Sequence, residues 1–158
     1  MTAGADLEWS EVEGDELDAA TLYDVLALRS AVFVVEQECV YQDIDGLDLA
    51  TGTVHLVGRF GRAGAIAAYA RVLAPDDQHL APRIGRVIVA PEARGQQLAR
   101  PLMHRALATC AYRWPGEPVD LGAQAHLAGF YGSLGFAAIS EPYDEDGIPH
   151  VWMRRPRP

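Results

Sequence analysis

Arg86-Val87-Ile88-Val89-Ala90-Pro91-Glu92-Ala93-Arg94-Gly95-Gln96-Gln97-Leu98-Ala99-Arg100 is the stretch whose reading decides the fold. Its first part is β-branched and strand-like, Pro91-Glu92 turns the chain, and Gly95 lies in a loop that opens a helix. Such a unit gathers unpaired backbone N–H groups and the positive end of a helix dipole at one point, where an anion such as a diphosphate is stabilised. Arg94 and Arg100 add permanent charge in planar donor forks that match phosphate oxygens. An ordinary strand-to-helix connection is built from the same elements, so the neighbouring sequence has to decide.

Upstream, Val54 to Arg59 and Ala65 to Leu73 read as strands joined by a hairpin at Gly61 and Gly64, and Arg83 to Ala90 is a third strand after the Asp76-Asp77 turn. Leu7 to Val12 alternates as an edge strand does. Glu16 to Gln37 reads as one or two helices capped by Asp15 or Asp18. Cys39 to Gly52, rich in Asp and Gly and without a period, is a loop. Downstream, Leu98, Leu102, Ala106, Cys110 and Trp114 recur every four residues and predict a helix over about 98–114 with one buried stripe, ended by Pro115, Gly116 and Pro118. Val119 to Gln124 is a short strand, Ala125 to Leu134 a short helix, and Phe136 to Ser140 and His150 to Arg154 are closing strands. The order is mixed α/β with a mostly antiparallel first sheet.

With 158 residues, 49% of them hydrophobic and 22% charged, the chain suits one domain over residues 1–158, ordered except at its first few and last few residues. No basic leader precedes an apolar run and no apolar run is long enough to cross a bilayer, which predicts a cytoplasmic protein without a membrane. Cys39 and Cys110 stand outside any CxxC or His/Cys spacing, so no metal is expected and both thiols are expected to be free. A formal charge of −9 argues against nucleic acid as a partner. The charge is unevenly spread: residues 1–50 hold thirteen acids and one base, Arg29, whereas residues 83–113 hold six arginines and one acid, Glu92. That asymmetry predicts a local anion site in an acidic chain. The sequence contains no lysine, which excludes the GxxxxGK[ST] loop of a nucleotide kinase.

The segment Arg94 to Ala99 resembles motif A of the GCN5-related N-acetyltransferases, written Gln/Arg-x-x-Gly-x-Gly/Ala, with Gln97 in place of the middle glycine and Pro101 just inside the helix. Gln124-Ala125-His126-Leu127-Ala128-Gly129-Phe130-Tyr131-Gly132-Ser133-Leu134-Gly135-Phe136 is similar to the family's motif B, with Gln124 where asparagine is commoner. Two motifs in the right order, about thirty residues apart, are far more specific than either alone. Phe33-Val34-Val35-Glu36-Gln37, Tyr41 to Gly46, Tyr69-Ala70-Arg71, Leu121 to His126 and Asp146 to His150 narrow the resemblance to the ElaA-type subgroup, covering about residues 22–153.

The resemblance implies a mixed sheet with antiparallel N-terminal strands and a splayed parallel pair at its centre, flanked by helices. It implies acetyl-CoA as co-substrate, no metal, and direct attack by an amine on the thioester through a tetrahedral intermediate. Val87, Ile88 and Val89 would bind the pantetheine arm, with the Val89 N–H facing the oxyanion. Arg94, Gly95, Gln96, Gln97, Leu98, Ala99 and Arg100 would hold the diphosphate. Gln124 would contact the cofactor, and Tyr131 would assist departure of the thiolate. Candidates for the base are Glu36, Glu38, Asp43, Asp45, His55 and His126; His55 is preferred because an ordinary pKa of about 6.5 suits proton removal near neutrality. The loop from Glu36 to Asp48 is expected to border the acceptor site and to attract a small-molecule or peptide amine. A homodimer is compatible with the resemblance, though no exposed stripe marks one. The rival reading is a catalytically silent acetyl-CoA sensor of the same fold.

Overall fold

The computed structural model describes residues 6–158. The first few residues, expected to lack order, lie mostly outside that range. The elements in chain order are β1 (Glu8–Glu13), α1 (Ala19–Arg29), β2 (Val54–Arg59), β3 (Ile66–Leu73), β4 (Arg83–Val89), α2 (Ala99–Arg113), β5 (Val119–Gln124), α3 (Ala128–Gly132), β6 (Ala137–Ala138), β7 (Tyr143–Glu145) and β8 (Ile148–Arg155). The strands form one sheet in the order β1-β2-β3-β4-β5-β8-β6, with β7 on β8. Its neighbours are antiparallel except β4 and β5, which run parallel at the centre. This is the mixed sheet that the sequence predicts.

Alternation along the strands decides which helix covers which face. Ala68, Ala70 and Val72 of β3 point to the side where α2 packs Leu102, Met103, Ala106 and Cys110. Tyr69 of β3 and Val57 of β2 point the other way, against Val25 and Val32. Small alanines on β3 let α2 approach closely, and the two-sided burial makes β3 the central strand of the core. The predicted helix stripe is buried at Leu98, Leu102, Ala106 and Cys110, and Trp114 closes it half-buried.

Asp18 caps α1 by accepting the Thr21 N–H at 2.6 Å. The chain then continues as a π-helical segment, Ser30–Glu36, starting where Arg29 turns fully inward. Helix α2 starts with Leu98 as its cap, and the Leu102 N–H to Leu98 carbonyl bond (3.1 Å) belongs to its first turn. Pro101 lies within that turn, where N–H groups have no helical partner anyway, so it removes no hydrogen bond. Strand β7 is an addition to the predicted elements. Asp146 and Gly147, both with positive φ (53° and 84°), form the two-residue turn that pairs it with β8.

Candidate active site

β4 and β5 share one register pair, Arg83 with Asp120, supported by an Asp120 N–H to Pro82 carbonyl bond of 3.0 Å. Beyond it the strands part around a cleft of about 390 Å³, walled by Gly85, Arg86 and Val87 on one side and Leu121, Gly122 and Gln124 on the other. The cause lies in β4. Tyr69 pairs with Ile88 but Arg71 with Gly85, so three steps along β4 oppose two along β3. The surplus residue is Arg86, at φ +50°. A bulge of this kind bends its strand and raises the local twist. A left-handed conformation on a non-glycine residue costs about 1–3 kcal/mol, and such strain collects at functional sites.

The same ladder orients the backbone beyond the bulge. The Ala90 N–H donates to the Ala67 carbonyl at 2.8 Å. Because successive N–H groups of an antiparallel strand alternate, the Val89 N–H points away from β3, to the β5 side of the strand. Val87 lines the cleft directly. Ile88 faces the opposite way and is a core residue, 2% exposed.

Tyr131 reaches the cleft from α3, held edge-on by Phe130 (5.2 Å between centroids) and Phe136 (6.1 Å). Burial pushes its hydroxyl up to about 12, so it stays protonated near neutrality. Gln124 lines the same cleft, its amide N–H donating to Gln37 at 3.2 Å.

The loop before α2 keeps glycine-like geometry although one glycine of the motif is absent. Gly95 has φ +84° and Gln97 φ +57°, so Gln97 occupies a left-handed position that glycine would take without strain. Gln96 and Leu98 flank it, and Ala99 and Arg100 open the helix. The arginines here are less free than charge counting implied. Arg94 is gripped by both oxygens of Glu36 (2.6 and 2.9 Å), Arg83 pairs with Asp76, Arg86 with Asp43, and Arg113 with Glu13. Arg100 lies 5.5 Å from the Phe130 ring centre and donates to Ser133.

Two expectations are corrected. The aspartates of the acidic loop do not present their charge to an acceptor, because Asp43, Asp45 and Asp48 are engaged with Arg29, Arg71 and Arg86. His55 is not a base at the cleft. It is fully buried on β2, with Nδ1 2.7 Å from the Tyr69 hydroxyl and Nε2 2.8 Å from the Asp48 carbonyl. The carbonyl requires Nε2–H, and in the neutral ring that burial favours Nδ1 accepts from the Tyr69 hydroxyl. Burial, the largest cause, lowers its pKa below the usual 6.5. The unfolded chain then binds the extra proton first, so stability falls as pH drops below about 6.5. His55→Gln should lower Tm at pH 7 and flatten this decline between pH 7 and 5, while transfer per folded molecule stays within twofold; a collapse of activity at unchanged Tm would return His55 to the candidates.

The sequence reading missed a cluster that the cleft does include. His150 on β8 bonds the Ile148 carbonyl through Nδ1 (2.8 Å) and Glu145 through Nε2 (3.1 Å), and stacks on Tyr143 at 6.0 Å. All three line the cleft. The signal for it was Asp146-Gly147, a two-residue hairpin turn that brings residues 143–145 back onto β8. Among the described residues no group of three or more His, Cys, Asp or Glu side chains is placed to hold a metal, and no helix is long and apolar enough to cross a membrane.

A mixed sheet that parts between its two central parallel strands is the sheet order of the GNAT acyltransferases. Residues 24–156 match the acetyltransferase (GNAT) domain, and the chain belongs to that family. It is 49% identical to the protein ElaA of Escherichia coli K12 over 149 residues, covering 94% of this chain and 96% of that one. A UPF0039 protein of Schizosaccharomyces pombe is 43% identical over 141 residues, 89% of this chain and 91% of the relative. The crystal structure of E. coli ElaA superposes with a TM-score of 0.88 at 48% identity, over 95% of this chain and 99% of that one. That of an acyl-CoA N-acyltransferase from Pseudomonas aeruginosa gives 0.90 at 47% identity, with the same coverage.

Proposed function

We propose that the chain transfers an acetyl group from acetyl-CoA to a primary amine by direct attack. The observation that carries this reading is the gap between β4 and β5, with Val87 on one wall and Tyr131, its hydroxyl kept protonated by burial, at its edge. The pantetheine arm pairs with the backbone of Val87 to Val89, and the diphosphate lies against the loop from Arg94 to Arg100, where Arg94 exchanges Glu36 for phosphate oxygens. Gln124 contacts the cofactor from β5. The Val89 N–H donates to the oxyanion as the amine nitrogen bonds to the thioester carbon, a role worth about 3 kcal/mol for one preorganised donor. The C–S bond then breaks, with Tyr131 donating to the sulfur. The acceptor enters past Glu145 and Asp146, the carboxylates that line the cleft. The proton lost by the amine passes to the Glu145–His150 pair.

Calorimetry with coenzyme A should show saturable binding at micromolar to low millimolar ligand. Incubation with acetyl-CoA and a panel of polyamines, aminoglycosides, amino sugars and peptides should release free thiol only with an amine present. Binding without acceptor-dependent release would establish the silent sensor instead, and no association at millimolar ligand would end both readings.

A further inference from the structure

Three arginines and three aspartates form a closed ring of ion pairs beneath the cleft. Arg29 bonds Asp43 (2.8 Å), Asp43 bonds Arg86 (2.8 Å), and Arg86 reaches Asp45 (3.4 Å). Asp45 bonds Arg71 (2.7 Å), Arg71 bonds Asp48 (2.9 Å), and Asp48 returns to Arg29 (2.5 Å). The ring is formally neutral and ties the end of α1, the middle of β3, the bulge of β4 and the loop between Cys39 and Thr53 to one another. Arg29, Asp43, Asp48 and Arg71 are all buried.

The member at the bulge is the informative one. Gly85 would adopt a left-handed conformation without steric cost, yet the positive φ falls on Arg86, its neighbour. What distinguishes Arg86 is its side chain, which donates from Nε to the Asp43 carboxylate and from Nη2 to the Asp43 carbonyl at 2.9 Å. We infer that the ring, through Arg86 and Asp43, is the device that pins the β4 bulge and so sets the width of the gap, making both positioning residues rather than groups that act on substrate. The inference rests on the acyl-CoA reading for its kinetic consequence, but its structural half is measurable without any ligand.

Comparing Arg86→Ala with Arg86→Gly tests it. Both lose the anchor, but glycine accepts φ +50° freely and alanine does not, a difference that corresponds to about tenfold. The alanine variant should lose about tenfold or more in kcat/KM for acetyl-CoA, and the glycine variant should recover a large part of that loss. In the ligand-free chain, hydrogen exchange at Ile88 and Ala90, whose N–H groups face β3, should accelerate about tenfold in the alanine variant and less in the glycine variant. Equal impairment of both variants would mean that the guanidinium touches substrate, and wild-type kinetics in both would reduce the ring to a stabilising feature; each overturns the inference. Should alanine yield no folded chain, Arg86→Gly is set against Asp43→Asn, which keeps the strain but loses the charge pair and should be the more impaired of the two. The reverse order overturns the inference. If the wild-type chain binds no coenzyme A while the exchange pattern holds, the acyl-CoA reading fails and the pinning of β4 stands; wild-type exchange in the alanine variant refutes the pinning and leaves that reading untouched.

Discussion

Replacing Tyr131 by phenylalanine is expected to lower kcat by about a hundredfold or more, the cost typical of losing a preorganised donor that faces developing charge. The ring would keep its edge contacts with Phe130 and Phe136, so folding and coenzyme A affinity should change little. The elevated pKa of about 12 refines the chemistry. Against an ordinary thiol near 8.5, complete proton transfer from such a group is uphill by about 5 kcal/mol. A hydrogen bond that strengthens as the C–S bond breaks therefore does the stabilising, and the thiolate takes its proton from water afterward. It follows that the pH profile of kcat should show no falling limb from Tyr131 below about pH 11. Steady-state kinetics and calorimetry on the phenylalanine variant check both halves, and an unchanged kcat in folded material would remove Tyr131 from the mechanism.

The largest loss of stability is expected from Asp48→Ala. Asp48 bonds Arg29, which is fully buried, and Arg71, which is 2% exposed, so its removal leaves two interior guanidinium groups short of a counter-charge. Breaking a buried pair from one side costs about 3–5 kcal/mol, which for a chain of this size corresponds to a fall in Tm of about 10 °C or more. Titration gives an independent check. Burial opposes ionisation of Asp45, but its hydrogen bond and charge contact with Arg71 outweigh that and bring it down to about 2; Asp48 is lowered in the same sense, against burial, by Arg29. A carboxylate whose folded pKa is depressed contributes stability above its unfolded value, near 3.8, and loses it as pH falls toward the folded value. Stability contributed by the ring should thus hold from neutrality to about pH 4 and decay between about 4 and 2. Thermal unfolding across that range would show it, and Asp48→Ala should shrink the acid-dependent part.

Much of the fold was legible because it depends on patterns that repeat along the chain. Leu98, Leu102, Ala106 and Cys110 predict α2 by spacing alone, and the β-branched run from Val87 to Val89 predicts β4 ahead of a loop that contains Gly95. What failed to be legible depends on partners distant in sequence. Asp43 and Asp45 read as an open acidic loop, since nothing local shows that Arg71 and Arg86 return to them from 26 and 43 residues away. His55 looked like a base because its type titrates near neutrality, whereas its burial between Tyr69 and Asp48 is a property of the folded sheet. Asp146-Gly147 counts toward the family resemblance but is also a local hairpin signal, and the Glu145–His150 pair follows from that turn.

Local chemistry determined the element order, because capping, periodicity and turn residues act over a few positions, and the two motifs around Arg94 and Tyr131 carried the resemblance to the family. Only the tertiary structure decided which charges neutralise one another and where β4 parts from β5. Those outcomes depend on long-range ion pairs and on one surplus residue in a strand register, quantities that no window of sequence contains.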